Sequence, residues 1–155
     1  MDNMNFDTLK LENQLCFPLY AASREVIKVY KPFLDGLDLT YTQYIAMILL
    51  WEHNTLTVKE MGDHLFLDSG TLTPLLKKLE AKGLITRTRS TKDERNLNVS
   101  ITDLGAALRE KAVHIPCEVG RLNPLSLEET VSLYHLLYKL LGIEGMADPD
   151  WAFLN

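Results

Sequence analysis

The two cysteines are the residues of this chain whose side chains could carry redox chemistry. Cys16 stands between Leu15 and Phe17 in an apolar segment with helical spacing, and Cys117 lies 101 positions later. That separation fits neither the disulfide framework of a small secreted protein nor a zinc-ligand pattern. Only the thiolate of a cysteine reacts quickly with a peroxide, and apolar surroundings disfavour that anion. Cys16 is therefore either an inert structural cysteine or a reactive one whose anion other groups stabilise.

A second set of chemically capable side chains lies at the start of a helix predicted over residues 69–81. Pro74 sits near its start and Gly83 just beyond its end, as helix termini favour. Short hydroxyl side chains and unpaired backbone N–H groups at a helix N-terminus suit phosphates and base edges. For each side chain, capping or simple solvation is the alternative. The candidate DNA contacts on this helix are Asp68, Ser69, Thr71, Thr73, Lys77 and Lys78.

Two strands are predicted directly after this helix, over residues 84–89 and 97–101, and a polar turn joins them. Arg95 lies just past the turn, where a guanidinium on a hairpin fits the negative potential of a narrow minor groove. Asp93 could brace the hairpin or that guanidinium; the alternative is a surface ion pair of little energetic consequence. Arg87 and Arg89 in the same hairpin complete the set of candidate DNA contacts.

The distribution of charge favours this interpretation although the net charge is −5. Residues 77–95 contain seven basic and three acidic side chains, a net charge of +4, so the remainder of the chain carries −9. A basic strip on an acidic body can bind phosphates at one face and repel them elsewhere. The alternative is a solvated helix face that happens to be basic.

Periodicity predicts the elements that position these groups. Apolar residues at spacings of three and four predict a helix over residues 8–34, which Pro18 kinks or restarts. Thr40 is a candidate N-cap for a helix over 41–52, and Thr57 with Glu60 forms a capping box for a short helix to about residue 65. Further helices are predicted over 103–114 and, after a second capping box at Ser126, to about residue 141. The sequence therefore predicts a mainly α fold with a small β-hairpin wing, a winged helix-turn-helix.

Composition limits the class of protein. A chain of 155 residues is most simply one domain over 1–155. The longest apolar run has seven residues, against roughly 20 for a membrane span, and no signal-peptide pattern is present. A cytoplasmic protein with no membrane partner is expected. The four histidines share no ligand spacing, and no glycine-rich phosphate loop or Ser/His/Asp set occurs. No metal, cofactor or catalytic residue is therefore predicted.

The string LDSGTLTPLLKKLEAKGLITRTRS, followed by DER, resembles the multiple-antibiotic-resistance regulator (MarR) family of dimeric winged-helix repressors. Within that family, LENQLCF, YKPFLD, LTYTQY and LWE resemble the organic-hydroperoxide resistance regulators. The resemblance runs in unbroken order from about residue 9 to 116. It implies a homodimer joined by helices from both chain ends, about 8–38 and 103–141, with about 40–102 as the DNA-binding region. A pseudo-palindromic operator with half-sites about one helical turn apart follows from that symmetry.

The resemblance also implies a function. The chain would be a transcriptional repressor, not an enzyme, and organic hydroperoxides would release it from its operator by oxidising Cys16. Tyr30 and Tyr41 would donate hydroxyl hydrogen bonds to that sulfur. Tyr30 is roughly 21 Å beyond Cys16 along a straight helix, so the partner subunit is the expected donor. Phe17 and Tyr20 are candidate walls of the oxidant pocket.

Three questions stay open at the level of sequence. The oxidised Cys16 could be resolved by Cys117 across the dimer or by a low-molecular-weight thiol. A lipophilic or phenolic ligand could be the trigger instead of thiol oxidation, and a thiol peroxidase is a third alternative. Departures from the family pattern are Pro18, a lysine at position 78 where arginine is usual, and a tail from residue 142 that carries Trp151, Phe153 and Leu154.

Overall fold

The structure, a computed structural model, describes residues 6–89 and 97–151. These residues form two compact units, Met1–Val113 and His114–Asn155, and the expectation of one domain over 1–155 stays a prediction. None of the helices in this part of the chain has the length and apolar character to span a bilayer. The helices are α1 (Cys16–Asp35), α2 (Tyr41–His53), α3 (Val58–Leu65), α4 (Ser69–Ala81), α5 (Asp103–Ala112), α6 (Ile115–Arg121) and α7 (Leu127–Leu140), and the strands are β1 (Thr55–Thr57), β2 (Ile85–Arg89) and β3 (Leu97–Ile101).

The predicted helix-turn-helix is confirmed, including its local signals. Thr40 and Thr57 cap α2 and α3, and each forms a capping box with the residue three positions on. These boxes satisfy backbone N–H groups that have no acceptor inside the helix. α3 ends at Phe66, which adopts a left-handed conformation (φ 54°) and turns the chain toward α4. The α4 helix begins at Ser69, as the sequence predicts.

The core of the first unit lies beneath α4. The leucines of this helix form its buried side, since they are at most 7% exposed. They pack in the same core as fully buried side chains of α2 and α3, so the apolar face of α4 points inward and its hydroxyl and lysine face points to solvent. The core side chains include Leu72, Leu75, Leu76 and Leu79 of α4, Met47 and Leu50 of α2, and Met61 of α3.

The sheet has three antiparallel strands in the order β1-β3-β2. The two predicted strands pair as a hairpin, with Arg87 opposite Val99. Strand β1 was not predicted, because three residues directly before a helix cap are too short to show a period of two. Its Leu56 pairs with Val99 on the other edge of β3. The turn of the hairpin, with Asp93 and Arg95, lies outside the described residues.

The predicted helix over residues 8–34 is wrong over its first eight residues, 8–15. Residues Phe6–Leu9 and Leu11–Asn13 form short 3-10 turns, and α1 begins at Cys16. Pro18 is the third residue of α1, where its missing N–H has no acceptor to lose. The expected restart of the helix is therefore confirmed, and Cys16 stands at the N-terminal end of α1.

The second unit contains one helix that the sequence did not predict. The helix predicted over 103–114 ends at Ala112, and Pro116 is the second residue of the next helix, α6. Helix α7 begins after the predicted capping box at Ser126. The tail then returns along α7: His135 Nε2 and Asp148 Oδ1 lie 2.7 Å apart, and the rings of Tyr134 and Trp151 meet at 5.5 Å. Phe153 and Leu154 lie outside the described residues.

Candidate DNA-reading surface and thiol site

The N-terminus of α4 is built around Asp68. Its Oδ1 accepts from the backbone N–H of Thr71 at 2.9 Å and its Oδ2 from the Thr71 hydroxyl at 3.1 Å. The Thr71 backbone bond holds the pKa of Asp68 below its usual range. The carboxylate therefore stays charged and caps the helix. The hydroxyl of Thr73 donates to the Ser69 carbonyl at 2.7 Å. Three of the predicted contacts thus organise the helix end, while Ser69 keeps an exposed hydroxyl.

Two exposed lysines follow on the same helix. Lys77 and Lys78 make no ion pair within the described ranges 6–89 and 97–151. Lys82, one turn further on, is paired with Asp38 at 3.1 Å. The first two lysines therefore present uncompensated positive charge on the outer face of α4, as phosphate binding requires.

Arg87 has a role that the sequence did not predict. Its Nε and one terminal nitrogen donate to Glu80 Oε2 at 2.9 and 2.6 Å, and its backbone N–H donates to Glu80 Oε1 at 3.1 Å. The hydrogen bonds from the Arg87 side chain lower the pKa of Glu80. This paired guanidinium is 18% exposed and fastens β2 to α4, whereas Arg89 is exposed. A DNA contact by either arginine stays a prediction.

An open groove of about 810 Å³ lies between α3, α4 and the hairpin. Apolar side chains form most of its wall, and the polar groups beside them are compatible with a small amphipathic molecule. Its lining includes Phe66, Leu72, Thr73, Leu76, Arg87 and Leu97.

The surroundings of Cys16 differ from the apolar burial that the sequence suggests. Within the single chain its side chain is exposed. The neighbouring apolar residues are exposed as well, with Leu15 at 75%, Phe17 at 44% and Tyr20 at 59%. The predicted apolar face is therefore present but open, and none of the described residues encloses the thiol.

The two predicted tyrosines are brought together. The rings of Tyr30 and Tyr41 meet edge-on with centroids 5.0 Å apart, and Tyr44 joins them at 5.9 Å from Tyr30. Burial raises the pKa of Tyr30 and of Tyr41, and burial with the neighbouring phenols raises that of Tyr44 to about 12. All three phenols therefore keep their protons at neutral pH. Sequence reasoning missed Tyr44, although its position three residues after Tyr41 on α2 places it on the same helix face.

The Tyr30 and Tyr41 hydroxyls donate to no acceptor in the part of the chain that the structure describes. Cys16 and Tyr30 are both on α1, fourteen residues apart. At 1.5 Å per residue their backbones are separated by about 21 Å. The structure therefore does not bring Cys16 to its own Tyr30, and the two hydroxyls stay without an acceptor among the described residues.

Cys117 lies in the second unit, third in α6 and half-buried. Among the residues described, no group of three histidine, cysteine or carboxylate side chains is arranged to hold a metal ion.

Comparison with known proteins gives the family. The model of the transcriptional regulators SarA/Rot matches residues 28–111. The chain is 59% identical to the organic hydroperoxide resistance transcriptional regulator of Bacillus subtilis, over 91% of this chain and 95% of that protein. It is 49% identical to the regulator SarZ of Staphylococcus aureus, over 77% of this chain and 79% of that protein.

A solved structure agrees with the fold. Reduced AbfR bound to DNA, whose protein comes from Staphylococcus epidermidis, superposes with a TM-score of 0.73 at 35% identity, over 88% of this chain and 95% of that one. Together with the helix-turn-helix, the hairpin and the extent of the match, these comparisons establish what kind of protein this is. The chain belongs to the MarR-type winged-helix transcriptional regulators, in the branch of the organic hydroperoxide resistance regulators.

Proposed function

We propose that this chain represses transcription as a homodimer and leaves its operator when an organic hydroperoxide oxidises Cys16. The observation that carries the proposal is the paired phenols of Tyr30 and Tyr41. The hydroxyls of both tyrosines have no acceptor within the described chain, and the thiol that needs donors lies about 21 Å from Tyr30 along α1. A two-fold dimer satisfies both requirements, because each chain then supplies the thiol of one site and the phenols of the other.

The exposed apolar surface of each unit supports a dimer. In the first unit, the N-terminal half of α1 exposes its apolar side chains. In the second unit, α7 exposes leucines at spacings of three and four. Apolar stripes of this length on a monomer mark interaction sites. The exposed side chains concerned are Leu15, Phe17, Leu19, Tyr20, Val26 and Ile27 on or next to α1, and Leu133, Leu136 and Leu140 on α7.

The oxidation step needs no cofactor. The Cys16 thiolate attacks one oxygen of the peroxide bond of ROOH, the O–O bond breaks, and the sulfur becomes a sulfenic acid while RO⁻ takes a proton to leave as an alcohol. Two phenol O–H donors stabilise the thiolate without a formal positive charge. The sulfenic acid is a poorer acceptor than the anion, so the phenols lose the bond that held them. Phe17 and Tyr20 are the proposed walls against which the organic part of the peroxide packs.

Release follows because both DNA-reading helices must engage together. Two linked heads bind with an effective concentration that raises affinity by about 10²–10⁴ over one head, and a change in their spacing removes that gain. A relative supports the idea that thiol chemistry changes the shape of this fold. Disulfide-formed AbfR superposes on this chain with a TM-score of 0.61, against 0.73 for reduced AbfR bound to DNA.

The reading surface in this proposal is the outer face of α4 with the hairpin. Ser69, Lys77, Lys78 and Arg89 are the exposed groups proposed to meet DNA, while Asp68, Thr71 and Thr73 order the helix end that carries them. The target is a pseudo-palindromic double-stranded operator in the cytoplasm. The sulfenic acid is resolved by Cys117 of the second unit or by a low-molecular-weight thiol.

The test is operator binding by Cys16→Ser before and after treatment with cumene hydroperoxide. The wild-type protein is expected to lose at least 100-fold in affinity, whereas the variant keeps its affinity within twofold, because a hydroxyl is not oxidised. Cys117→Ser is the matched control and still responds, since its Cys16 reacts. A variant at position 16 that is released as completely as the wild type would refute the proposal.

The groove beside α4 favours one second candidate, release by a lipophilic or phenolic ligand. Its apolar wall with Thr73 and Arg87 has the composition of a site for a small amphipathic molecule. Such a ligand would displace Cys16→Ser from DNA as readily as the wild type. The same variant therefore separates the two triggers, and peroxide turnover by the wild type with a reductant would reveal a thiol peroxidase.

A further inference from the structure

We propose that Trp51 is the positioning residue that couples the tyrosine pair to the DNA-binding hairpin. The inference rests on the proposed function, since it concerns how oxidation at Cys16 reaches the reading surface. Trp51 lies near the C-terminal end of α2, ten residues after Tyr41. It contacts Tyr44 on one side and Gly105 of α5 on the other, within the unit Met1–Val113.

An unbroken series of aromatic contacts leads from the phenols to Trp51. Tyr30 contacts Tyr44 with ring centroids 5.9 Å apart, and Tyr44 contacts Trp51 edge-on at 6.3 Å. Tyr44 is 3% exposed, so its ring is held by its neighbours on every side. A ring in a close-packed core cannot turn without its neighbours moving. A change in the position of the Tyr30 ring is therefore transmitted to Tyr44 and to the indole.

The indole in turn holds the first turn of α5. Trp51 Nε1 donates to the carbonyl oxygen of Gly105 at 2.8 Å, across 54 positions of sequence. A second contact joins the same residue to α5, because a terminal nitrogen of Arg109 donates to the Trp51 carbonyl oxygen at 3.5 Å. Helix α2 is thus fastened to α5 at two points that belong to the same tryptophan.

Gly105 lies directly against the start of the hairpin. A side chain at this position would overlap the Leu84 carbonyl oxygen and crowd the side chain of Ile101, so the backbones of Gly105 and Leu84 meet with no side chain between them. Leu84 precedes β2 and Ile101 ends β3. Thr102 adds a bond from its hydroxyl to the Gly83 carbonyl oxygen at 2.6 Å. Movement of the Gly105 carbonyl therefore moves the base of both hairpin strands.

Loss of these contacts should separate oxidation of the thiol from movement of the hairpin. While Cys16 is a thiolate, the phenols are held by the sulfur and the indole N–H is bonded to Gly105. When the sulfenic acid forms, the phenols shift, and the indole transmits that shift to the hairpin base. Without the indole N–H, the thiol is oxidised as before, but the shift of the phenols no longer moves the base of the hairpin.

The test is Trp51→Phe, which keeps an aromatic ring and removes the N–H donor. Three quantities are measured: the rate of Cys16 oxidation by cumene hydroperoxide, the operator affinity of the reduced protein, and the ratio of reduced to oxidised affinity. We expect the oxidation rate to be unchanged and the operator affinity of the reduced variant to lie within twofold of the wild-type value. The ratio of the affinities of the reduced and oxidised proteins should be lower by roughly threefold to tenfold, which corresponds to the free energy of one hydrogen bond. Trp151→Phe, at the only other tryptophan, is the matched control and keeps the wild-type ratio.

Each outcome decides the matter. A wild-type ratio in Trp51→Phe overturns the relay and leaves the proposed function standing, whereas a wild-type protein that stays on DNA after oxidation overturns both. The indole N–H resonance of Trp51 in Trp151→Phe provides a second measurement in case Trp51→Phe does not fold. The relay predicts that this resonance shifts when Cys16 is oxidised, and an unshifted resonance contradicts it.

Discussion

The region that reads DNA and the region that senses the oxidant differ in how complete they are within one chain. Helix α4 has its cap, its buried leucine face and an ion pair to the hairpin, all from nearby segments of the same chain. Helix α1 offers the opposite picture. Its thiol is exposed, its apolar side chains are open, and the phenols at its other end have no acceptor among the described residues.

The proposed function accounts for this difference, because in it each chain supplies only half of a sensing site. Local rules such as capping and amphipathic periodicity determine a reading head, because each of its interactions is made inside one chain. Cys16 and Tyr30 lie about 21 Å apart along one helix and cannot meet by local rules. In the proposed function the sensing chemistry therefore depends on dimer formation, and experiments that separate dimer formation from DNA reading give the clearest tests.

The largest expected effect comes from breaking the dimer. Leu136→Glu puts a charge on the apolar stripe of α7, where the leucine is 60% exposed in the single chain. We expect a monomer in analytical ultracentrifugation and a loss of operator affinity of about 100-fold or more, because the gain from two linked heads disappears. Ile48→Glu, at an exposed apolar position of α2, is the control and should stay dimeric. A dimeric Leu136→Glu protein with wild-type affinity would place the interface elsewhere.

A smaller effect is expected from removing one phenol. Tyr30→Phe deletes a hydroxyl donor and keeps the ring, so the reduced protein should still bind its operator. Oxidation of Cys16 should slow by about tenfold to a hundredfold, since a hydrogen bond to a charged acceptor contributes about 1.5–3 kcal/mol. Because burial raises the pKa of Tyr30 and Tyr41, neither phenol loses its proton below pH 9. The effect should therefore persist across pH 6–9, and stopped-flow oxidation of Tyr134→Phe provides the unaffected comparison.

The smallest effects are expected from single substitutions of two basic residues in the reading region, Lys77 and Arg87. Lys77→Ala removes an exposed charge that forms no ion pair with the described residues, so it should weaken operator binding severalfold and reduce the slope of log affinity against log salt by about 1. Arg87→Ala breaks the pair with Glu80 and should lower the thermal midpoint, which Lys77→Ala leaves unchanged. An Arg87 variant with wild-type stability and a reduced salt slope would show that its guanidinium serves DNA rather than the fold.

The reading head could be predicted closely from sequence because its signals are local. The bounds of α4 and β3 agree with the prediction, and the capping boxes at Thr57 and Ser126 are confirmed. The failures have physical reasons. Strand β1 is too short for a visible period, and the 3-10 turns before α1 share the apolar spacing of a helix. Pro116 can end a helix or start one, and here it starts α6.

The chemistry could be predicted in part. The chemistry of cysteine indicated that Cys16 could react with a peroxide, and the family resemblance pointed to Tyr30 and Tyr41 as its hydrogen-bond donors. The structure brings these two tyrosines together. The pairing of Arg87 with Glu80, the third phenol of Tyr44 and the bond from Trp51 to Gly105 were not predictable. Each of these contacts joins two different elements of the fold. The type of a side chain does not reveal whether it will bind a ligand or pair with another residue of its own chain.

A mixed dimer tests the central claim, that each thiol is served by the phenols of the other protomer. One protomer carries Cys16→Ser and the other carries Tyr30→Phe with Tyr41→Phe, so the only Cys16 of the purified heterodimer lies on the chain that lacks both hydroxyls. If the donors come from the partner, this Cys16 is oxidised by cumene hydroperoxide at the wild-type rate. Oxidation at the slow rate of the Tyr30→Phe, Tyr41→Phe homodimer would contradict the account.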